Sequence, residues 1–406
     1  MKKCFLLFFL LSTINFYGQK EKRSKAQLSS FLSKSYFSVN LGGVFYPFSN
    51  ANLKEGFATE SFTKNVFSGR FLLGYKIKPD LAIQFGVMRP ASWFIYNNVN
   101  NIGYERSVWI NVWSLSLKKS FNLNNKLSLF AEAGIANATR IGFSINDEVI
   151  YDDAHFGSLI YGLGANYKLN DKWRLSLNGT FLPKTKKYNQ PSISQASVGF
   201  EYHLQQVPKE KALEYEENKT YFFPKNIIQV SYGTSAIGFG VNQFFGMSLK
   251  VGNFDSFGIP VFWVGDVKAS DAYSITYQKT AFRSKKTFSL DWGVSATYFQ
   301  SQLNKEKVYA FSVFPVLRFY LLRRKGFDMY TNYSVIGPTF ITKKQIDGLD
   351  SGPLITYQDT MGLGVFFGEN RTYNFELRIM HYSNGNIFTK NVGVAIPLQF
   401  TLGKTF

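Results

Sequence analysis

Cysteine and histidine are almost missing from this chain. Of 406 residues one is cysteine, Cys4, and three are histidine: His155, His203 and His381. Cys4 sits in a segment that reads as an export signal, residues 1–19. Lys2 and Lys3 form its basic start, Phe5 to Leu11 its apolar stretch, and Gly18 a small residue near the cleavage point. A mature chain without thiols excludes disulfides and thiolate zinc sites, so stability has to come from elsewhere. Long apolar runs are also lacking. Ile227 to Ser248 is uncharged, but Gln, Ser, Asn and Gly interrupt it, and no later segment has the length and apolarity of a spanning helix. Acidic residues are few, 27 against 46 Lys and Arg, for a net charge of +19. The lysines are scattered through turns, with no compact basic helix or zinc spacing. That makes nucleic acid the less expected partner and suits a surface of anionic lipid phosphates; the alternative is ordinary solvated loop charge.

What is abundant is aromatic residues, 18% of the chain, with 42 Phe, 24 Tyr and 33 Gly. They recur at every second position, so one face of each segment is apolar. Many such segments without a spanning helix predict an outer-membrane β-barrel; the alternative is a secreted β-sandwich. Eight segments precede residue 205, beginning with Phe37-Val39-Leu41 and Phe71-Leu73-Tyr75, and ending with Val198-Phe200-Tyr202. Short turns such as Lys78-Pro79-Asp80 alternate with long connections near 50–64, 92–105, 138–157 and 184–193, the rhythm of such barrels. This half resembles small OmpA-type barrels in pattern, with no chemical motif. Residues 206–225 are charged and break the alternation, which reads as a linker. Alternation resumes at Ile227, with nine candidate strands to Phe406, one more than an even barrel allows. The expectation is all-β: two antiparallel transmembrane barrels of about eight strands each, over 36–205 and 226–406, in the outer membrane. One larger barrel drawing on both halves is the rival architecture.

The chemistry gathers at His381-Tyr382-Ser383-Asn384-Gly385-Asn386. His381 and Ser383 share a strand face with Tyr373, Phe375, Leu377 and Ile379, the face expected toward lipid. The short turn Gly368-Glu369-Asn370 should be periplasmic, and a strand leaving it reaches His381 after about eleven residues, one membrane thickness. The pair is therefore expected outside the barrel wall at headgroup depth, suited to a glycolipid. A histidine beside a serine is a base–nucleophile arrangement. Glu376 and Arg378 face the lumen as a structural ion pair. Asp347 and Asp350, in the preceding Gly-rich loop, read either as a cation site or as ordinary solvated loop residues.

Phe375 to Ile387, with looser support from Ile336-Gly337-Pro338 and the glycine-spaced strand at Gly362 and Gly364, resembles the lipid A 3-O-deacylase family of outer-membrane enzymes. The resemblance covers roughly residues 227–406. It implies Ser383 as nucleophile, His381 as general base, and Asn384 with Gly385 and nearby backbone N–H groups as oxyanion stabilisers. It implies hydrolysis of an ester-linked 3-hydroxyacyl chain from lipid A, with no cofactor or metal, and it leaves a homodimer open. The family also carries a glutamate in the last strand that orients the histidine. Ala395 stands at that position here, and no Asp or Glu occurs between Gly385 and Phe406. A triad requires an acceptor on the second imidazole nitrogen, so either the carboxylate is displaced or the chain is a non-catalytic structural or adhesive relative. Counting back across the turn near Asn370 puts Asp359 directly opposite His381 on the same face. Asp359 is the displaced candidate; the alternative is an interfacial aspartate solvated beside a loop.

Overall fold

The computed structural model describes residues 24–406 except 65, 91–93, 104, 218–219, 247–249, 252–253 and 256–264. The proposed export signal, residues 1–19, lies outside the described residues. Sixteen long strands form two closed rings. The first contains β1 (Ser35–Phe45), β2 (Phe67–Lys78), β3 (Leu81–Pro90), β4 (Arg106–Asn122), β5 (Leu127–Ile141), β6 (Ala154–Lys168), β7 (Trp173–Leu182) and β8 (Ile193–His203). Each pairs antiparallel with its neighbours in the chain, and β1 closes on β8. The second ring contains β9 (Asn226–Thr234), β10 (Val267–Arg283), β11 (Phe288–Ser301), β12 (Lys307–Arg324), β13 (Phe327–Ile341), β14 (Ile355–Phe367), β15 (Tyr373–Ser383) and β16 (Val394–Thr405), closed by β9 on β16. Of the nine candidate strands of this half, eight account for the ring, and the remaining one is that expected near 258–268. Most of it lies outside the described residues, and Val267 and Lys268 begin β10.

Alternation dictates which face is which. Val39, Leu117, Leu177, Ile275, Val313 and Leu402 point outward and are exposed, as a lipid-facing band requires. Their neighbours point inward and are polar. In the first lumen Arg70 pairs with Glu132, and Lys118 with Glu201. In the second, Arg318 pairs with Asp291 and donates to Gln278 Oε1 at 2.6 Å. Each lumen is thus filled by polar side chains, several of them paired with one another, because eight strands leave little space for anything else. Glu376 and Arg378 do face the second lumen, but their closest approach is 4.0 Å. Glu376 instead accepts from Tyr330 Oη and Asn332 Nδ2, both at 2.7 Å.

The two rings finish differently at the end carrying the long connections, the extracellular end by the same rule. Over the first barrel the loops pack their own apolar core, with Tyr46, Phe48, Phe94, Tyr96, Ile150 and Tyr151 buried together. In the second barrel β9 stops short. Above its end β10 and β16, both antiparallel to β9, meet as a parallel pair, Val267 with Val394 and Lys268 with Ala395. At the opposite end Phe222 and Phe223 of the connecting segment pack against Ile227, Tyr320, Tyr330 and Phe366.

Candidate functional site

Strands β14, β15 and β16 build the site near the extracellular end of the second barrel. The short turn between β14 and β15 sets the register: Val365 pairs with Phe375, Met361 with Ile379, Asp359 with His381, and Tyr357 with Ser383. On the other flank His381 pairs with Ala395. A bulge in β16 between Gln399 and Ile396 shifts that register by one residue. It turns Ala395 to the outward face, level with His381, and sends Val394 and Ile396 inward to Met380 and Tyr382. The position that the family resemblance assigns to a carboxylate thus holds a methyl group against the imidazole. The carboxylate within reach lies on the opposite neighbour, β14.

His381 Nδ1 lies 3.9 Å from Asp359 Oδ2, within ion-pair range but longer than a hydrogen bond. Asp359 Oδ1 accepts from the backbone N–H of Ile336 at 2.9 Å. A second bulge, in β13 between Ser334 and Gly337, aims that N–H. It holds Ile336 at φ +55°, a left-handed conformation disfavoured for a β-branched residue. Such strain costs about 1–3 kcal/mol and persists only where the surroundings enforce it. The Nε2 edge of His381 rests on Gly393, where an added Cβ would come within 2.5 Å of the nitrogen. A glycine there makes room for the ring.

Ser383 Oγ accepts from the N–H of Gly385 at 3.4 Å. Gly385 has φ +63°, a turn conformation natural to glycine. Asn384 is differently engaged. Its N–H donates to Asn391 Oδ1 at 2.7 Å, and its side-chain nitrogen to the carbonyls of Lys390 and Ser351 at 2.6 and 3.3 Å. Its donors are spent on shaping the loop, so of the two residues expected to stabilise an oxyanion, Gly385 has the N–H directed at the serine.

Two expectations need correction. His381 and Ser383 do share the outward face, alternating with inward Met380 and Tyr382. They are not open to lipid, however: they are 1% and 5% exposed, and Asp359 is 5% exposed. Loop segments pack over this end of the wall, and Phe375 and Leu377 lower on the same face are less covered. Asp347 is not a loosely solvated charge. It accepts from Ser301 Oγ at 2.6 Å and from the N–H groups of Asn304 and Leu303 at 2.7 and 3.2 Å, capping the β11–β12 turn. Burial acts to raise its pKa, but these donors win and hold it below the usual carboxylate value. Asp350 turns back on its own loop, accepting from Gly352 N–H.

The bulge that aligns Ala395 and the one that aims Ile336 were not foreseen from the sequence. A glycine or proline beside an alternating run, as at Gly337-Pro338 and Pro397, is the signal that marks them.

Comparison with known proteins adds the following. Residues 271–396 match the family model of lipid A 3-O-deacylase (PagL), and residues 22–203 that of the outer membrane protein beta-barrel domain. No curated protein matches the chain. Among solved structures, the outer membrane enzyme PagL is 14% identical, with 44% of this chain and 99% of that one covered at a TM-score of 0.31. The N-terminal β-barrel domain of Pseudomonas aeruginosa OprF is 14% identical, with 42% and 98% covered at 0.28. Neisserial surface protein A is 13% identical, with 42% and 97% covered at 0.28. The chain is an outer-membrane protein of two barrels, the second of them lipid A deacylase-like.

Proposed function

We propose that the second barrel is a serine hydrolase that removes an ester-linked 3-hydroxyacyl chain from lipid A. Ser383 Oγ attacks the ester carbonyl while His381 takes its proton. The Gly385 N–H stabilises the oxyanion, and His381 returns the proton to the departing sugar oxygen. Water, activated by His381, then releases the acid from the acyl-serine. Asp359 orients the imidazole. To hydrogen-bond it, the carboxylate has to close by about 1 Å, a movement within the reach of a side chain held on one oxygen only.

One observation carries this reading: an aspartate, a histidine and a serine occupy one outward face, with the carboxylate cross-strand from the ring. A buried acid–base row pointing away from the lumen has no part in filling the barrel, and the strained Ile336 is arranged around its acid. A non-catalytic reading draws on Ala395 and on the 3.9 Å gap at Asp359. Purified protein mixed with lipid A separates the two, with mass spectrometry following loss of a hydroxyacyl chain. Hydrolysis by the native protein and none by Ser383→Ala supports the enzyme. No hydrolysis by either supports the non-catalytic reading, and equal hydrolysis by both removes Ser383 as nucleophile.

A further inference from the structure

The outward face of the first barrel carries a patch that a lipid-facing wall should not have. Along β4, β5 and β6 the outward positions begin aliphatic, with Leu117, Leu115, Leu129 and Ile135 exposed. Toward the extracellular end they become polar. Asn111, Thr139 and His155 form one cross-strand row, and Trp113, Asn137 and Gly157 the next. A hydroxyl or amide turned to hydrocarbon without a partner costs several kcal/mol. Yet Asn111 is 3% exposed and Thr139 0%, whereas Ile135, four residues below Thr139 on the same face, is 62% exposed.

What covers the patch is the loop that follows Ser383. Thr139 Oγ donates to the carbonyl of Ile387 at 2.7 Å, and Asn137 Nδ2 donates to the same oxygen at 3.2 Å. His155 Nδ1 stands 2.9 Å from Thr139 Oγ. The hydroxyl has one proton and gives it to Ile387, so Nδ1 must donate, which sets the imidazole tautomer. The His155 ring lies 5.1 Å from that of Phe388. Gly385, whose N–H faces Ser383, backs onto Trp113: an added Cβ would stand 3.1 Å from the indole. The segment 204–225 ties the barrels together, so a small contact is enough to hold them at high effective concentration.

We propose that this face of the first barrel is a docking surface for the loop 384–391 of the second, and that Thr139 and Trp113 are positioning residues for the Gly385 N–H. The kinetic part rests on the hydrolase reading; the docking part does not. The first barrel then has a role no single barrel supplies: it is the rigid back wall of its neighbour's loop.

The test uses the full-length protein with Cys4→Ser, which leaves it free of cysteine. With His155→Cys and Phe388→Cys added, a short bis-maleimide should join the two barrels within one chain; absence of that cross-link overturns the docking. Separately, Thr139→Val should speed backbone hydrogen exchange in the 384–391 peptide, and Thr139→Ser should leave it slow. It should also lower kcat about five- to tenfold, the worth of one hydrogen bond, with KM within about twofold. Unchanged exchange in Thr139→Val overturns the positioning role, and a rise in kcat does so too, since it would make the docked loop an obstructing cover. If the native protein hydrolyses nothing, the hydrolase reading fails alone, and cross-linking and exchange still decide this one.

Discussion

Polar side chains reach the outward face near the extracellular end of both barrels. In the first they are Asn111, Asn137, Thr139 and His155, with no carboxylate among them, and the bonds described for Asn137 and Thr139 run to the second barrel's loop. In the second they are Asp359, His381 and Ser383, a potential acid, base and nucleophile side by side. Inside, the barrels are alike, each filled by buried Arg– or Lys–carboxylate pairs. The lumen answers to packing, while the departures from apolarity on the outer wall are where the proposed docking, in one barrel, and the proposed hydrolysis, in the other, are placed.

The shared interior gives the largest expected effect. Arg318→Met strands Asp291 in the second lumen, and Arg70→Met strands Glu132 in the first. Each should cost its barrel about 3–5 kcal/mol, read as a lower unfolding temperature by circular dichroism. A much smaller loss in one barrel would show that the two interiors are not equivalent. Next comes the acid on the second barrel's wall. Asp359→Asn should cut the kcat of hydroxyacyl release about 100- to 1000-fold. Adding Ala395→Glu in that background, which supplies a carboxylate from the other flank of His381, should restore about tenfold of it. Restoration would tie the row to chemistry, and wild-type rates in Asp359→Asn would reduce it to another docking patch.

Ile336→Gly sharpens the contrast further. If the left-handed backbone serves only to aim an N–H at Asp359, glycine relieves about 1 kcal/mol of strain. Thermal stability should then rise slightly without loss of hydrolysis. The smallest effect lies at Asp347. A carboxyl whose folded pKa is depressed stabilises above its unfolded pKa and loses that contribution as pH falls through the folded value. Amide exchange at Leu303 and Asn304 should therefore speed up only below about pH 4. Asp347→Asn should abolish that dependence.

The sequence carries the architecture because barrel strands announce themselves by period, and short turns by composition. The pairing of Asp359 with His381 was countable for the same reason: a five-residue connection, 368–372, leaves little freedom of register. Three features resisted. The bulge near Pro397 moves β16 by one residue, and no count of alternation contains that residue. The stretch near 258–268 alternates like a wall strand, yet β9 already pairs directly with β10 in the ring. The cover over His381 comes from loop residues such as Gly393, contacts that no local pattern encodes. Even so, Asn111, Asn137 and Thr139 stand at lipid-facing positions of otherwise apolar strands, and that mismatch is readable.

Because β9 is short, the cylinder's hem is stitched by β9 with β16 and, above it, by β10 with β16. Ala395, which sits against the imidazole, lies on that hem. A chain still in transit through the periplasm has no hem, and its histidine lacks one flank of its setting. Under the proposed function, hydrolysis therefore begins only when the last seam is sewn in the bilayer, which would spare the cell a wandering esterase.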